Sequence, residues 1–268
     1  MSGLEHADLD RRFGGLRRLY GPQGYERLRQ ARFAVVGVGG VGSWAVEALA
    51  RSGVAHLTLV DLDQVAESNI NRQVQAVTST LGQAKVDALR HRIAGIHPGC
   101  EVRLVEDFLT EDNASQCLAL DDLSAPLHGV LDCCDQVRAK VAIAAWAQSA
   151  GVLHIAVGAA GGKRQAHKVD VDDLAHTTHD PLLAQLRYQM RKHHRAPREG
   201  KKIGVTCVFS REAVAPPDAS CNIQGDGTLN CHGYGSVVAV TATFGQCAAG
   251  WVLDKLATAS RLDSKKTL

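Results

Sequence analysis

Short apolar runs alternate with segments of helical periodicity between about residues 32 and 158. The expected strands are the apolar runs at 33–37, 56–61, 101–106, 129–132 and 153–157. The expected helices occupy 42–52, 83–95, 112–120 and 136–150. Because strands and helices alternate in this way, the pattern predicts an α/β fold: a mostly parallel sheet with helices on both faces.

The alternation of expected strands and helices stops after Gly158. One long polar helix, basic connections and a strand-like run at 203–210 follow, and a Pro/Gly/Asp/Asn-rich loop is expected at 213–235. A helix that is uncharged up to residue 253 is expected at 236–257, and 258–268 is expected to be a frayed tail. We therefore expect a core domain over 1–160 and a C-terminal α/β elaboration over 161–257, packed on that core.

The segment 233–253 carries no charged side chain, and its length is about that of a membrane-spanning helix. It is rich in small residues, however, and it contains Ser236, Thr241, Thr243 and Gln246, which hydrocarbon penalises when they lack partners. We interpret it as a buried core or dimer helix. A peripheral or single-span membrane association is the alternative interpretation.

Composition narrows the class of protein. The chain has 268 residues, 45% of them hydrophobic, so a sizeable core is expected. A net charge of +2 does not indicate nucleic-acid binding by itself, so any such role needs a local basic patch. The eight cysteines include no C-x-x-C pair, and the N-terminus has acidic residues where a signal peptide is basic and apolar. We expect reduced thiols, no structural zinc and a cytoplasmic protein.

A glycine-rich turn follows the first expected strand and opens the next helix. Its glycines are Gly37, Gly39, Gly40 and Gly42. Such a turn lets the backbone approach phosphate oxygens at the positive end of a helix, and this predicts a Rossmann-like nucleotide site. Asp61 ends the second strand, where a carboxylate accepts hydrogen bonds from a ribose. These features fit NAD and ATP equally.

The side chains that follow the ribose-binding carboxylate Asp61 along the chain distinguish an ATP site from an NAD site. The amides are Asn69 and Asn71, the cations are Arg72 and Lys85, and the carboxylate Asp63 precedes them in the chain. A triphosphate concentrates charge that Arg chelates with paired N–H donors and Lys neutralises as a point charge. A dinucleotide has no need of these groups there, so the sequence favours ATP.

Two carboxylates lie at the end of the fourth expected strand: Asp132 is its last residue, and Asp135 follows three residues later. Ligands of open α/β sheets bind at this edge, and a carboxylate there suits Mg²⁺ held against nucleotide phosphates. Because Asp135 directly precedes a helix, a helix N-cap is the alternative interpretation.

The order G-x-G-G-x-G, D-x-D, S-N-x-N-R-Q, G-Q-x-K and D-C-x-D resembles the ubiquitin-activating-like, ThiF-type adenylating enzymes over about residues 10–160. Within that superfamily, the segments 11–21, 38–53, 200–212 and 240–245 are most similar to the tRNA threonylcarbamoyladenosine dehydratases. This second resemblance extends over nearly the whole chain.

The resemblance implies roles for single residues. Gly39 and Gly40 would lie under the phosphates, Asp61 would bind the ribose, and Asp135 would hold Mg²⁺. The side chains implied to grip the triphosphate are Asn69, Arg72 and Lys85. An N-terminal arginine would reach the neighbouring subunit's site in a homodimer. Arg18 is our candidate for it, with Arg12 and Arg17 as alternatives.

The resemblance also implies a reaction. ATP would adenylate the threonyl carboxylate of threonylcarbamoyladenosine in tRNA and release pyrophosphate, and ring closure would then expel AMP with net loss of water. Cys231 is a candidate acyl acceptor, and a cysteine desulfurase system is an implied partner. An activator of a ubiquitin-like sulfur-carrier protein is the alternative. An NAD-dependent oxidoreductase is the weaker alternative, since it leaves Arg72, Lys85 and Asp135 without a role.

A tRNA substrate also needs a basic surface, and the stretch 187–202 is strongly basic. A solvated helix end is the other interpretation of such a charge run. We expect phosphate contacts from the following side chains: Arg187, Arg191, Lys192, Arg195, Lys201 and Lys202.

Overall fold

The computed structural model describes residues 7–118, 126–198, 200–218, 220 and 234–263. The strands within these residues are β1 (Arg32–Val36), β2 (His56–Val60), β3 (Glu101–Val105), β4 (Gly129–Asp132), β5 (Leu153–Val157), β6 (Val169–Asp173) and β7 (Thr206–Ser210). The α-helices are α1 (Leu9–Arg29), α2 (Gly42–Arg51), α3 (Lys85–Ile96), α4 (Ala114–Leu118), α5 (Val137–Ala150), α6 (Pro181–His193) and α7 (Val238–Asp263).

The strands form one sheet in the order β3-β2-β1-β4-β5-β7-β6. All neighbouring pairs are parallel except β6 and β7, which are antiparallel. The strand order reverses between β1 and β4, where Val36 lies beside both Val60 and Asp132. The carboxyl ends of β1, β2 and β4 therefore meet at a topological switch point, the usual ligand site of such sheets. The α/β, Rossmann-like prediction is confirmed.

The uncharged C-terminal segment lies in a core helix from Val238 onward, two residues after the expected start at 236. Phe244, Ala248 and Val252 of α7 are fully buried in the same cluster as the inner residues of α2 and β1. Gly245 permits the close approach of α7 to α2, because a Cβ there would lie 2.4 Å from the carbonyl oxygen of Val41. Of the helices in the described part of the chain, none is long and apolar enough to cross a membrane.

Some elements differ from the sequence expectations. The pattern did not predict α1, a mostly polar helix with a kink at Gly21 (φ 76°) and Pro22. It also did not predict β6, because the sequence Val-Asp-Val-Asp-Asp is typical of a polar connection. This segment forms a strand by pairing with β7. Helix α7 continues to Asp263, beyond the expected end at 257. The expected division at residue 160 falls between β5 and β6 and stays a prediction.

The contact between α7 and α2 leads to a stability prediction. Gly245→Ala places a methyl group against the α2 backbone, so we expect the free energy of unfolding to fall by about 1–3 kcal/mol. Gly250→Ala is the matched control in the same helix, because nothing lies within 4 Å of the place that a Cβ would take there. The control should gain about 1 kcal/mol from helix propensity alone. Urea unfolding of both variants tests this, and equal stabilisation by both would contradict it.

Candidate active site

A cavity of about 490 Å³ lies at the carboxyl edge of the sheet, over the ends of β1, β2 and β4. The structure brings most of the sequence-predicted nucleotide residues together on its wall. Those that line it are Gly37, Gly39, Gly40, Asp61, Asp63, Asn69, Arg72, Lys85 and Asp135. Gly42 and Asn71 lie outside this wall.

The glycines of the turn have two different physical roles. Gly37 has a φ of 80°, and a Cβ on it would lie 2.9 Å from the backbone of Cys134. A Cβ on Gly42 would lie 1.9 Å from the carbonyl oxygen of Gly37. Gly39 and Gly40 instead face the cavity, where a Cβ on Gly40 would press on the Arg72 side chain. Gly37 and Gly42 therefore close the turn, and Gly39 and Gly40 keep room for a ligand.

Asp61 ties the glycine turn to the second strand. Its Oδ2 accepts a hydrogen bond from the backbone N–H of Val38 at 2.8 Å, and its Oδ1 accepts one from Asp63 N–H at 2.9 Å. Burial raises the pKa of Asp61, and the nearby Lys85 ammonium opposes that rise. Each oxygen keeps a lone pair, so the carboxylate can still accept hydrogen bonds from two ribose hydroxyls.

Lys85, the first residue of α3, is buried with its ammonium held between two carboxylates. Its Nζ lies 2.6 Å from Asp63 Oδ2 and 3.9 Å from Asp61 Oδ1. The Asp63 side chain is 59% exposed and can turn away, whereas Lys85 is only 8% exposed. An incoming phosphate can therefore replace Asp63 as the partner of the buried ammonium.

Arg72 reaches the cavity from the turn after β2, and its neighbours orient it. Its Nη1 donates to Ser68 O at 2.7 Å and to Asn71 Oδ1 at 2.9 Å, while Trp44 Nε1 donates to the Arg72 carbonyl oxygen. Asn71 therefore orients the guanidinium from outside the cavity wall. Asn69 uses its Oδ1 to accept from Ala66 N–H, and this leaves its Nδ2 free to donate to a ligand.

Asp135 lies exposed at the mouth of the cavity. The N-cap of α5 is Gln136, so the alternative interpretation of Asp135 as a helix cap is wrong. Within the described part of the chain, no hydrogen bond or ion pair engages the Asp135 carboxylate. A free carboxylate is the kind of hard oxygen ligand that Mg²⁺ prefers, so the residues present fit a metal held between Asp135 and phosphate oxygens.

Sequence reasoning missed several residues of the cavity wall. Gln73 is buried beside Gly39, and Thr241 comes from α7, far along the chain. Phe108, which is 49% exposed, lines the cavity after β3. Gln73 stands inside the motif S-N-x-N-R-Q and could have been included on that signal. Thr241 and Phe108 carry no local signal, because only the packing of their elements brings them to the site.

The remaining predicted residues lie away from the cavity. Arg18 is exposed on α1, and its rival Arg12 donates to Ile96 O. Arg187 is partly exposed, and its Nη1 donates to Leu174 O and to both oxygens of Thr177, so this side chain also holds a turn. Cys231 lies outside the described residues. The other basic side chains expected to contact tRNA are partly or fully exposed: Arg191, Lys192, Arg195, Lys201 and Lys202.

A buried imidazole, that of His154, lies on β5 near the side chain of Asp132. His154 Nε2 is 4.0 Å from Asp132 Oδ2, and neither atom has a hydrogen-bond partner among the described residues. Burial lowers the pKa of His154 to about 4, with the Lys140 ammonium adding to that effect and Asp132 opposing it. The imidazole is therefore neutral at physiological pH.

Comparison with known proteins identifies the same family that the sequence motifs resemble. The model of the ThiF family matches residues 11–268. A tRNA threonylcarbamoyladenosine dehydratase of Haemophilus influenzae is 39% identical over 93% of this chain and 94% of its own length. One from Escherichia coli is 39% identical over 91% and 93%. The structure of the Escherichia coli enzyme TcdA in complex with ATP is similar with a TM-score of 0.84 at 39% identity, over 95% of this chain and 98% of that chain.

The buried imidazole gives a pH prediction. The unfolded chain binds a proton on His154 near pH 6.5, and the folded chain resists it down to about pH 4. Stability is therefore lost as the pH falls through this window, by about 3 kcal/mol from this group. His154→Leu should flatten the pH dependence of the unfolding free energy between pH 6.5 and 4. His193→Ala, which removes an exposed histidine at the end of α6, is the control and should leave the profile unchanged. Parallel profiles for wild type and His154→Leu would refute the assignment.

Proposed function

The chain belongs to the ThiF family, and we propose that within this family it is an ATP-dependent tRNA threonylcarbamoyladenosine dehydratase. One observation carries the proposal. Arg72 and Lys85 converge on a glycine turn in one cavity, in a chain that is similar to such dehydratases over nearly its whole length.

The cavity suits the adenylation of a carboxylate. A carboxylate is a poor electrophile until one of its oxygens becomes part of a good leaving group. Its attack on the α-phosphorus of ATP forms an acyl-adenylate and releases pyrophosphate, so negative charge develops on the departing β and γ phosphates. Arg72 and Lys85 are buried and already oriented, so they stabilise this charge without reorganisation in the transition state.

The second half of the reaction needs no nucleophile from the protein. An atom of the threonylcarbamoyl group attacks the activated carbonyl, AMP leaves, and a ring closes with net loss of water. Among the described residues, the thiols that line the cavity are those of Cys133 and Cys134, and both are poor candidates for covalent catalysis. Burial raises the pKa of Cys133 to about 12 and raises that of Cys134 as well, so both stay protonated at neutral pH.

Asp135 is the residue we propose to hold Mg²⁺. The metal would neutralise phosphate charge and help the pyrophosphate to leave. The role of the chain itself is to present one exposed carboxylate in the same cavity that Arg72 and Lys85 line. In this arrangement the metal and the two fixed cationic side chains would together neutralise the phosphate charge.

We propose further that the enzyme acts as a homodimer and that Arg18 of one subunit reaches the other subunit's cavity. Arg18 is exposed on α1 and does not line the cavity of its own chain, which is what a residue acting on a second copy requires. A cytoplasmic location accords with a tRNA substrate.

The exposed basic side chains in the last turn of α6 and in the segment after it are proposed to contact tRNA phosphates. Helix α6 begins with Pro181 and Leu182, and Leu182 lines the cavity. Its 13 residues span about 20 Å, so its basic end lies roughly one nucleic-acid diameter from the nucleotide site. If the modified base of the tRNA occupies the cavity, phosphates of the adjoining tRNA stem would lie near these basic side chains.

Mass spectrometry of tRNA nucleosides tests the proposed function. Incubation with ATP and tRNA carrying threonylcarbamoyladenosine should remove one water from that nucleoside and produce one AMP for each cyclic product. Unchanged nucleosides, together with pyrophosphate exchange that depends on a small carrier protein ending in Gly-Gly, would establish the alternative activity. Tight NADH binding without competition by ATP would establish an oxidoreductase.

Removal of the phosphate-binding cations should abolish turnover. Arg72→Ala and Lys85→Ala should each lower the rate of AMP formation by about 10²–10³-fold, because each removes a fixed charge from the developing pyrophosphate. Arg90→Ala, on the exposed side of α3, is the matched control and should retain the parent rate. Single-turnover assays with saturating tRNA measure this. A Lys85→Ala enzyme as fast as the parent would count against the assignment of Lys85.

Removal of the basic surface should weaken tRNA binding and reduce its dependence on salt. The triple variant Lys192→Ala, Arg195→Ala, Lys201→Ala should lower the slope of log K against log salt by about one unit for each phosphate that the protein no longer touches. ATP affinity should be unchanged, since none of these residues lines the cavity. Filter binding at several salt concentrations measures the slope, with Arg90→Ala as the comparison on another exposed surface. An unchanged slope would place the tRNA surface elsewhere.

A further inference from the structure

The turn that presents Asp135 rests on a buried ion pair. Lys140 lies in the first turns of α5, and its Nζ donates to Asp132 Oδ1 at 3.0 Å and to the Asp132 carbonyl oxygen at 3.2 Å. Both side chains are 0% exposed. Neither residue lines the cavity, although the intervening residues Cys133, Cys134 and Asp135 do.

A single carboxylate oxygen joins the parts of this turn. Asp132 Oδ1 accepts the Lys140 ammonium, the backbone N–H of Cys134 at 3.3 Å and the Cys134 thiol at 3.0 Å. Cys134 is the residue directly before Asp135. The ion pair therefore determines the path of the backbone between the end of β4 and the exposed carboxylate.

The same turn is packed against the glycine turn. Cys133 N–H donates to Val36 O at 2.8 Å, and the Cys134 backbone occupies the place that a Cβ on Gly37 would need. The contact with the glycine turn therefore fixes one side of the turn that carries Asp135. Lys140 fixes the other side of this turn through Asp132.

Lys140 is the charge partner on which Asp132 depends. Among the described residues, the other basic group within 4.0 Å of the carboxylate is His154, which is neutral at physiological pH. Burial alone lowers the pKa of Lys140, but the attraction of Asp132 raises it overall, so the lysine stays charged. A buried ion pair is expensive to desolvate, and an apolar pair of similar volume is often at least as stable. Fold stability alone therefore does not account for this pair.

We propose that Lys140 is a positioning residue for metal binding: through Asp132 it holds the 132–136 turn so that the Asp135 carboxylate meets Mg²⁺ bound to the nucleotide. This inference rests on the proposed function, in which Asp135 is the metal ligand. Groups that orient metal ligands change metal affinity by about 10–100-fold when they are removed. The side-chain contacts that orient Arg72 and Lys85 do not involve this turn.

The test compares two variants. Lys140→Met removes the ammonium but leaves a buried carboxylate without its partner. The double variant Asp132→Asn, Lys140→Met removes both charges and keeps an Oδ1 that can accept the Cys134 N–H. The double variant therefore avoids the unpaired charge, and if Lys140→Met fails to fold, the double variant carries the measurement.

Three quantities are measured for each folded variant. The Mn²⁺ affinity of the protein–ATP complex, followed by electron paramagnetic resonance, should fall by about tenfold or more. The Mg²⁺ concentration for half-maximal AMP formation should rise by a similar factor. ATP affinity in the presence of EDTA should match wild type. The control is Glu47→Gln, Arg92→Met, which removes a pair between α2 and α3 and should leave all three quantities unchanged.

The outcomes separate the inference from the proposed function. Wild-type metal affinity in the double variant would show that the pair only supports the fold and would overturn the inference. An equal loss of ATP affinity in EDTA would overturn it too, because the effect would then extend to the whole cavity. Lack of ATP-dependent Mn²⁺ binding by the wild-type protein would also overturn it. Normal Mn²⁺ binding without conversion of tRNA would overturn the proposed function alone.

Discussion

Close contact between two backbone turns is the constraint on which the rest of the structure depends. The glycine turn after β1 lies against the turn after β4 so tightly that Gly37 has no space for a Cβ. Gly42 then brings the start of α2 onto the Gly37 carbonyl. This packing places the positive end of a helix and two open glycines at the point where the strand order reverses. Every functional side chain of the cavity is arranged around that point.

Charge balance determines what the cavity can bind. Lys85 and Arg72 are buried cations, and each is held by groups that a phosphate can replace or supplement. The carboxylates are distributed with separate tasks: Asp61 anchors the glycine turn, and Asp135 stays free at the rim. Because the cations are oriented before the ligand arrives, the site is suited to stabilising charge that develops during phosphate departure.

The C-terminal helix α7 supports and completes the cavity that the first half of the chain forms. Helix α7 packs on α1 and α2, and its contact with α2 supports the helix whose N-terminus faces the cavity. The same helix contributes Thr241 to the cavity wall, and Asn71 donates to Ser236 O just before it. The predicted C-terminal elaboration therefore contributes to the nucleotide site itself. The lack of charged side chains in α7 up to Leu253 is explained by its burial against α1 and α2.

The sequence by itself determined the parallel strands, the glycine turn, and the identities of Asp61, Arg72, Lys85 and Asp135 as cavity residues. These features are local: hydrophobic periodicity, turn chemistry and residues that directly follow strands act within a few positions of the chain. Only the tertiary structure decided that β6 is a strand, that Asn71 and Gly42 act from outside the cavity, and that Arg187 is held by a turn. It also brought Thr241 to the wall and paired Lys140 with Asp132. Such contacts depend on which elements pack together, and a pattern along one segment carries no information about a partner on another.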